Sequence, residues 1–279
     1  MKSKTTAIIQ ARVTSSRLPG KVLIDIAGDP ALVHVVERTS RASTVDEVIV
    51  ATTGDPTDDP IASLCVERGY PYYRGSTQDV LDRYYRAASI FQSTTIVRIT
   101  GDCPVIDPDV IDETVLAFSS SSIAEAQQPT GHEGSPPWDF AANRLPPPWG
   151  RTYPIGLDTE VCTFSGLELA WNEADQPHQR EHVMPFFYEQ PERFRILLVN
   201  HDVDLGSHRW TLDTREDLEF MRQIFQRFQG RNDFSWLEVV DLLAREPELK
   251  QINASVQHKH YREVDTRRKA TNTTRYSPD

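Results

Sequence analysis

Apolar residues along this chain come in short runs of two kinds, and the two kinds alternate. One such run feeds the stretch Ile8–Leu23, IIQARVTSSRLPGKVL; after it, Pro30–Arg41 places Leu32, Val35 and Val36 at helical spacing with charges opposite. Glu47–Thr52 is β-branched and stops at a Gly-Asp-Pro turn. Pro60–Arg68 has the period of an amphipathic helix, and Tyr70–Tyr73 is a brief strand. Ser76 and Asp79, spaced like a capping box, precede a helix over 80–91 whose inner stripe is Val80, Tyr84, Ala87, Ala88 and Phe91. Thr95–Thr100 is a near-continuous β run of the sort found at the centre of a parallel sheet, and a helix over Pro108–Phe118 follows. This alternation predicts a parallel sheet with covering helices.

The second half is less regular. Ser119–Ser122 and the Pro/Gly-rich Gln127–Pro137 read as a flexible insert over about 119–137, and PPPW at 146–149 as a stiff turn. Strands are expected at Trp138–Asn143 and through Leu157–Thr163, where alternation puts Asp158 and Glu160 on one face. Ser165–Asp175 and Gln179–Tyr188 read as helices, with Pro185 at a first turn or a kink in the latter. Arg195–Asn200 reads as a buried strand. Arg209–Asp213 reads as a strand with an acidic end, leading into a helix over Asp217–Phe228 that turns Leu218, Met221, Ile224, Phe225 and Phe228 inward; Phe234–Arg245 is a last helix. A single domain is expected over 1–257, and the polar residues 258–279 read as a disordered tail.

Charge narrows the possible ligands. Thirty Lys and Arg against 41 Asp and Glu leave a net charge of −11, which argues against nucleic acid or an anionic membrane as partner. An anionic small molecule must therefore meet a local basic site, and Arg12, Arg17 and Lys21 on one loop supply it. Ser15, Ser16 and Gly20 let backbone N–H groups approach an anion closely, and the guanidinium groups suit bidentate phosphate contact. The spacing matches neither the Walker A loop nor the dinucleotide fingerprint. A solvated basic turn is the competing reading. Asp102 and Asp213 each follow a β run and would open on the same sheet edge. Two carboxylates facing a polyphosphate call for a cation, and Mg²⁺ suits oxygen ligands and phosphates. Otherwise Asp213 starts a helix and Asp102 fills a Gly-Asp turn. The start of the 80–91 helix has the same two readings, ligand site or plain cap. Cys65, Cys103 and Cys162 suggest neither disulfides nor zinc, which fits a reducing cytoplasm. No apolar run has the length of a membrane helix, and MKSKTT lacks a signal-peptide core.

The stretches QARVTSSRLPGKVL (10–23), VIVATTGDPTDDPI (48–61), YRGSTQDVLDRYYRA (73–87), VRITGDCPVIDPDVID (97–112), TYPIGLDTEV (152–161), REHVMPFFYEQPERFRI (180–196), WTLDTREDL (210–218) and INASV (252–256) closely resemble, in order, the SpsF-like cytidylyltransferase family. That family is related to the synthetases of CMP-linked Kdo and sialic acid. The resemblance implies a GT-A-like Rossmann α/β sandwich with a mostly parallel central sheet. A smaller acceptor or dimerisation arm, at about 138–200, often makes a homodimer. By position it implies that Arg12, Arg17 and Lys21 bind the triphosphate of CTP, with Gln10, Ala11 and Ser16 around it. Ala51, Thr52, Thr53, Arg74, Gly75, Ser76 and Asp79 would line the cytidine pocket. Asp102, after Gly101, and Asp213 would hold Mg²⁺, and Arg12, Lys21, Asp102 and Asp213 would carry the transfer of CMP to an anionic acceptor with release of pyrophosphate. Tyr153, Asp158, Glu160, Arg180 and His182 fall near the acceptor side. His182 is open to three roles: orienting an acceptor, acting as a base, or packing a helix; Asp158 and Glu160 share the ambiguity. Two rivals stand beside this. One is a glycosyltransferase of the same fold, with Asp107–Pro108–Asp109 as its D-x-D; the other is a non-catalytic nucleotide-sensing subunit.

Overall fold

The computed structural model describes residues 3–120 and 138–257, together with Arg262. Its elements begin with β1 (Thr5–Gln10), β2 (Asp25–Ile26), β3 (Asp29–Pro30), α1 (Ala31–Thr39), β4 (Glu47–Thr53), α2 (Asp59–Arg68), β5 (Tyr72–Gly75), α3 (Val80–Ile90), β6 (Thr95–Thr100) and α4 (Pro108–Ser119). They continue with β7 (Phe140–Ala142), β8 (Glu160–Thr163), α5 (Phe164–Glu173), α6 (Pro177–His182), α7 (Pro185–Tyr188), β9 (Ile196–Leu198), α8 (Arg215–Arg227) and α9 (Trp236–Arg245).

Seven strands form one sheet in the order β5-β4-β1-β6-β8-β7-β9, with β2 and β3 as a separate hairpin. The first four are mutually parallel, β8 runs antiparallel to both β6 and β7, and β9 runs parallel to β7. Burial explains the central place of β1. Ala7, Ile8 and Ile9 are all fully buried, Ala7 and Ile9 in the core under α1 and α4 and Ile8 in the opposite core under α3 and α5. A strand apolar on both faces has to be covered on both. A third core, around Trp210, Leu212, Ile224, Phe225 and Trp236, packs α8 and α9 against Ile26 of β2, Ala31 of α1, Val110 of α4 and the segment carrying Tyr153 and Leu157.

The parallel register fixes where ligands can bind. Gln10 lies opposite Ala51 of β4 and Thr100 of β6, so the loops after these strands leave from one edge. Sheets of this kind bind ligands there.

Several expected elements differ. Arg209–Asp213 joins no ladder of the sheet: it is an extended segment held by an isolated bridge from Ile155 to Arg209 and by the Leu212 N–H donating to the Asp102 carbonyl at 2.8 Å. Its alternation comes from Trp210 and Leu212 reaching into the third core. The bridge brings the backbones so close that a Cβ on Gly156, whose φ is +108°, would lie 2.3 Å from the Trp210 carbonyl oxygen. Gln179–Tyr188 is two short helices with Val183 at φ 71° between them, because Pro185 cannot donate the N–H that would continue the first. The strand expected from Leu157 begins only at Glu160, and β9, at the sheet edge, is half-buried rather than buried. Asp79, not Ser76, is the N-cap of α3; Ser76 Oγ instead accepts from the Asp79 N–H. Of the insert expected at 119–137, residues 121–137 lie outside the described part, as does the tail except for Arg262.

Candidate active site

The basic loop begins where β1 ends. Ala11 N–H donates to the Ala51 carbonyl at 3.2 Å, and Val13 N–H donates to Asp58 Oδ1 at 2.7 Å. Asp58 is buried and also accepts from the Thr53 hydroxyl, so one carboxylate ties the loop to the end of β4. Gly20 closes the loop, its N–H donating to Val13 O at 2.8 Å, and its φ of 71° turns the chain into Lys21. Gly101 is equally constrained: a Cβ there would stand 2.9 Å from the Gln10 carbonyl oxygen. Loop and aspartate-bearing turn thus lie against each other.

Lys21 is the hub. Its Nζ donates to Asp102 Oδ2 at 2.5 Å and to Asp213 Oδ1 at 2.6 Å. Arg17 donates to Asp213 Oδ2 at 2.8 Å, and Arg209 to the same oxygen at 3.1 Å. Burial draws the ammonium of Lys21 toward neutrality, but Asp102 and Asp213 outweigh it and leave its pKa above the ordinary value. Burial raises the carboxyl of Asp213 as well; Lys21, Arg17 and Arg209 overcome this and hold it at about 2. Both charges therefore persist across the neutral range. Behind them Asp217 is fully buried and accepts from the N–H groups of Asp213 and Thr214, both ends of the Arg209 fork, and Asn253 Nδ2.

The remaining nominated residues divide. Ala51, Thr52 and Thr53 are buried at the end of β4. Arg74 donates to the carbonyls of Thr53 and Asp55 at 3.0 and 2.9 Å, and Gly54 N–H donates to Gly75 O, so the β4 and β5 ends form one wall. The buried oxygens Gln10 Oε1 and Thr52 Oγ1, on neighbouring strands at this edge, have no hydrogen-bond partner among the described residues. Asp79 is occupied by its cap to Asp82 N–H and by an ion pair with Arg180, which joins a residue nominated for the nucleotide to one nominated for the acceptor. Arg12 is half-buried and Ser16 exposed on the basic loop.

Four of the residues nominated for the acceptor have different described partners, Arg180 with Asp79 being one pair. Asp158 receives a bidentate fork from Arg151 at 2.7 and 3.0 Å. Glu160 is buried against Arg98. Tyr153 is buried and donates to Glu113 at 2.6 Å. His182 is half-buried at the end of α6. Asp107, first carboxylate of the D-x-D spacing, is buried, caps α4 through Asp109 N–H, accepts from Trp236 N–H and faces Arg38 at 3.5 Å.

Asp58, Arg209, Asp217 and Asn253 escaped the sequence reading. Thr214 and Asp217 do form a capping box, the signal that could have flagged Asp217, since a box acid in the first turn faces back toward the preceding loop. The chemistry of the donor set suits a divalent cation: two carboxylate oxygens meet at one cationic point beside a phosphate-type loop. Among the described residues no group of three or more His, Cys, Asp or Glu gathers as a metal centre, so phosphates and water would complete the shell.

A mostly parallel sheet with a basic loop after its first strand, and two carboxylates sharing that loop's lysine, defines a nucleotidyltransferase of the α/β sandwich kind. The family model described as Cytidylyltransferase matches residues 6–260, and the chain belongs to that family. It is similar to an uncharacterised protein of Methanocaldococcus jannaschii, at 34% identity over 94% of this chain and 99% of the relative. It is also similar to the spore coat polysaccharide biosynthesis protein SpsF of Bacillus subtilis, at 30% identity over 86% of this chain and 94% of that one. A solved cytidylyltransferase from Leptospira borgpetersenii superposes with a TM-score of 0.79 at 30% identity, covering 92% of this chain and all of that one. No helix among the described residues is long and apolar enough to cross a membrane.

Proposed function

We propose that this cytidylyltransferase moves CMP from CTP to an oxygen of a small anionic acceptor, a sugar acid, phosphate or phosphonate, and releases pyrophosphate. The observation that carries the proposal is the Lys21 ammonium shared by Asp102 and Asp213 beside the basic loop. Arg12, Arg17 and Lys21 bind the phosphates in this reading and stabilise the charge that grows on the leaving pyrophosphate. The wall made by β4 and β5 takes the cytidine. Asp102 and Asp213 would hold Mg²⁺, which when bound neutralises phosphate charge as a Lewis acid. An anionic oxygen needs little help to attack phosphorus, so the reading calls for no dedicated base. We further assign the protein to the cytoplasm, as a homodimer that uses the region at about 138–200 for acceptor and partner.

The D-x-D of a glycosyltransferase has no support here, because Asp107 is committed to the start of α4 and to Arg38. The test is to incubate the protein with CTP, Mg²⁺ and a panel of anionic acceptors, following pyrophosphate and the CMP adduct by mass. Sugar acids head the panel because the Bacillus relative is named for polysaccharide biosynthesis. One acceptor class yielding pyrophosphate and adduct in equal amounts is the expected result. Tight CTP binding with no turnover on any acceptor would point instead to a nucleotide-sensing subunit.

A further inference from the structure

We infer that Lys21 is an internal substitute for the divalent cation: in the nucleotide-free protein its ammonium holds the place between Asp102 and Asp213, and a triphosphate must draw it away before a metal ion can bind there. The inference rests on the function proposed above and deepens it by naming the order in which the site fills.

Three observations converge. The first is which oxygens Lys21 uses. Asp213 Oδ2 is taken by Arg17 and Arg209, at 2.8 and 3.1 Å, and Asp102 Oδ1 faces the Cys103 thiol at 3.7 Å. The oxygens left over, Asp102 Oδ2 and Asp213 Oδ1, are the two bonded to Lys21 Nζ. A metal ion joining the two carboxylates needs the same pair, so ion and ammonium exclude each other.

The second is charge balance. Lys21, Arg17 and Arg209 already match Asp102, Asp213 and Asp217 in number within this cluster. A doubly charged ion entering alone would leave the cluster strongly positive in a partly buried setting, where like charges are weakly screened. A triphosphate reverses this, since its oxygens give Lys21 and Arg17 new partners and its charge offsets the metal.

The third is a division of mobility among the cations. Lys21 opens a single short turn, Lys21–Leu23, behind Gly20, and carries a four-carbon stem that can swing toward the loop. Arg209 cannot follow. It is buried, and the carboxylate of Asp217 grips its Nε and Nη2 at 2.9 and 3.0 Å. After Lys21 leaves, Asp213 keeps Arg209 on one oxygen and presents the other.

Mn²⁺ is the probe, followed by water-proton relaxation enhancement and by melting temperature. The wild-type protein with Mn²⁺ alone is expected to show neither enhancement nor a thermal shift, whereas adding CTP brings Mn²⁺ onto the protein. Lys21→Met, checked for folding by circular dichroism with Lys21→Gln as a second variant, is expected to bind one Mn²⁺ without nucleotide, tighter than wild type by about tenfold or more on removal of a like charge at contact distance. Its melting temperature should rise with Mn²⁺, and adding Asp213→Asn should abolish both effects. Wild-type protein that binds Mn²⁺ alone as tightly as Lys21→Met would overturn the inference. So would folded Lys21 variants that gain no Mn²⁺ site while CTP still recruits Mn²⁺ to wild type; in that case the CTP reading survives. If Lys21→Met gains the site but CTP recruits nothing, the substitution role stands and the CTP reading fails.

Discussion

Asp213 and Asp217 lie four residues apart and live under opposite rules. Asp217 is fully buried, and every partner described for it, two backbone N–H groups, the Arg209 fork and Asn253, is itself fixed in the frame. Asp213 is partly exposed, and two of its three cations, Lys21 and Arg17, ride on the basic loop. A buried carboxylate with immovable donors can only hold structure, since losing any donor leaves an uncompensated charge. One with exchangeable donors can change partners when a ligand arrives. The pair therefore separates frame from candidate site within a single turn of chain.

The largest effects should come from breaking the working side. Asp102→Asn and Asp213→Asn are expected to lower the rate of pyrophosphate release by about 10³-fold, the scale of removing a charge-stabilising group from a transition state. Both should melt within a few degrees of wild type. Asp217→Ala is expected to do the reverse in kind: a loss of about 3–5 kcal/mol in stability, measured by urea unfolding, because the buried Arg209 would lose the carboxylate that grips its Nε and Nη2 and keep only its bond to Asp213. Full stability in Asp217→Ala, or a large destabilisation in Asp102→Asn, would erase the distinction.

The convergence of the strand ends at the candidate site was legible in the sequence, and the reason is local. Strands β1, β4 and β6 are continuous apolar runs that end in turns, and parallel pairing brings their ends together whatever the rest of the chain does. The position of Asp213 was legible, but not its setting, because Trp210 and Leu212 alternate for a helix-covered core rather than for a sheet ladder. Arg209, Asp58 and Asn253 were invisible for a different reason. Each acts across 4 to 45 residues of sequence through side-chain hydrogen bonds, with no periodic signature. The acceptor side was least legible: Asp158 and Glu160 alternate like one strand face, yet each is taken by a different arginine.

A smaller effect tests the same contrast by pH. The carboxyl of Asp213 sits at about 2 in the folded protein against an ordinary 3.8, so its contribution is complete above about pH 4 and lost as pH falls toward 2. The shift corresponds to about 2 kcal/mol. Acid unfolding of Asp213→Asn should lack that part of the fall. Lys21 works in the other direction: with its pKa raised above 10.5, its contribution is complete below that value and lost as pH climbs through the folded value. Lys21→Met should flatten the alkaline limb.

The smallest effect on catalysis concerns Tyr153, which the family resemblance places on the acceptor side and the fold buries. Its ring packs 5.5 Å from Trp236 and 5.6 Å from His201, and its hydroxyl donates to Glu113 at 2.6 Å. Burial first, and then the carboxylate of Glu113, push the phenol's pKa up, so it stays a donor at any working pH. Tyr153→Phe keeps the packing and removes one hydrogen bond to a charged acceptor, which corresponds to about 1.5–3 kcal/mol of stability. With CTP and the best acceptor, kcat/KM should change by less than about twofold, because a group that stabilises only the fold leaves the barrier untouched. A tenfold fall in kcat/KM at unchanged stability would move Tyr153 from the frame to the acceptor pocket, and would mean that the acceptor side, like Asp213, exchanges its partners when substrate binds.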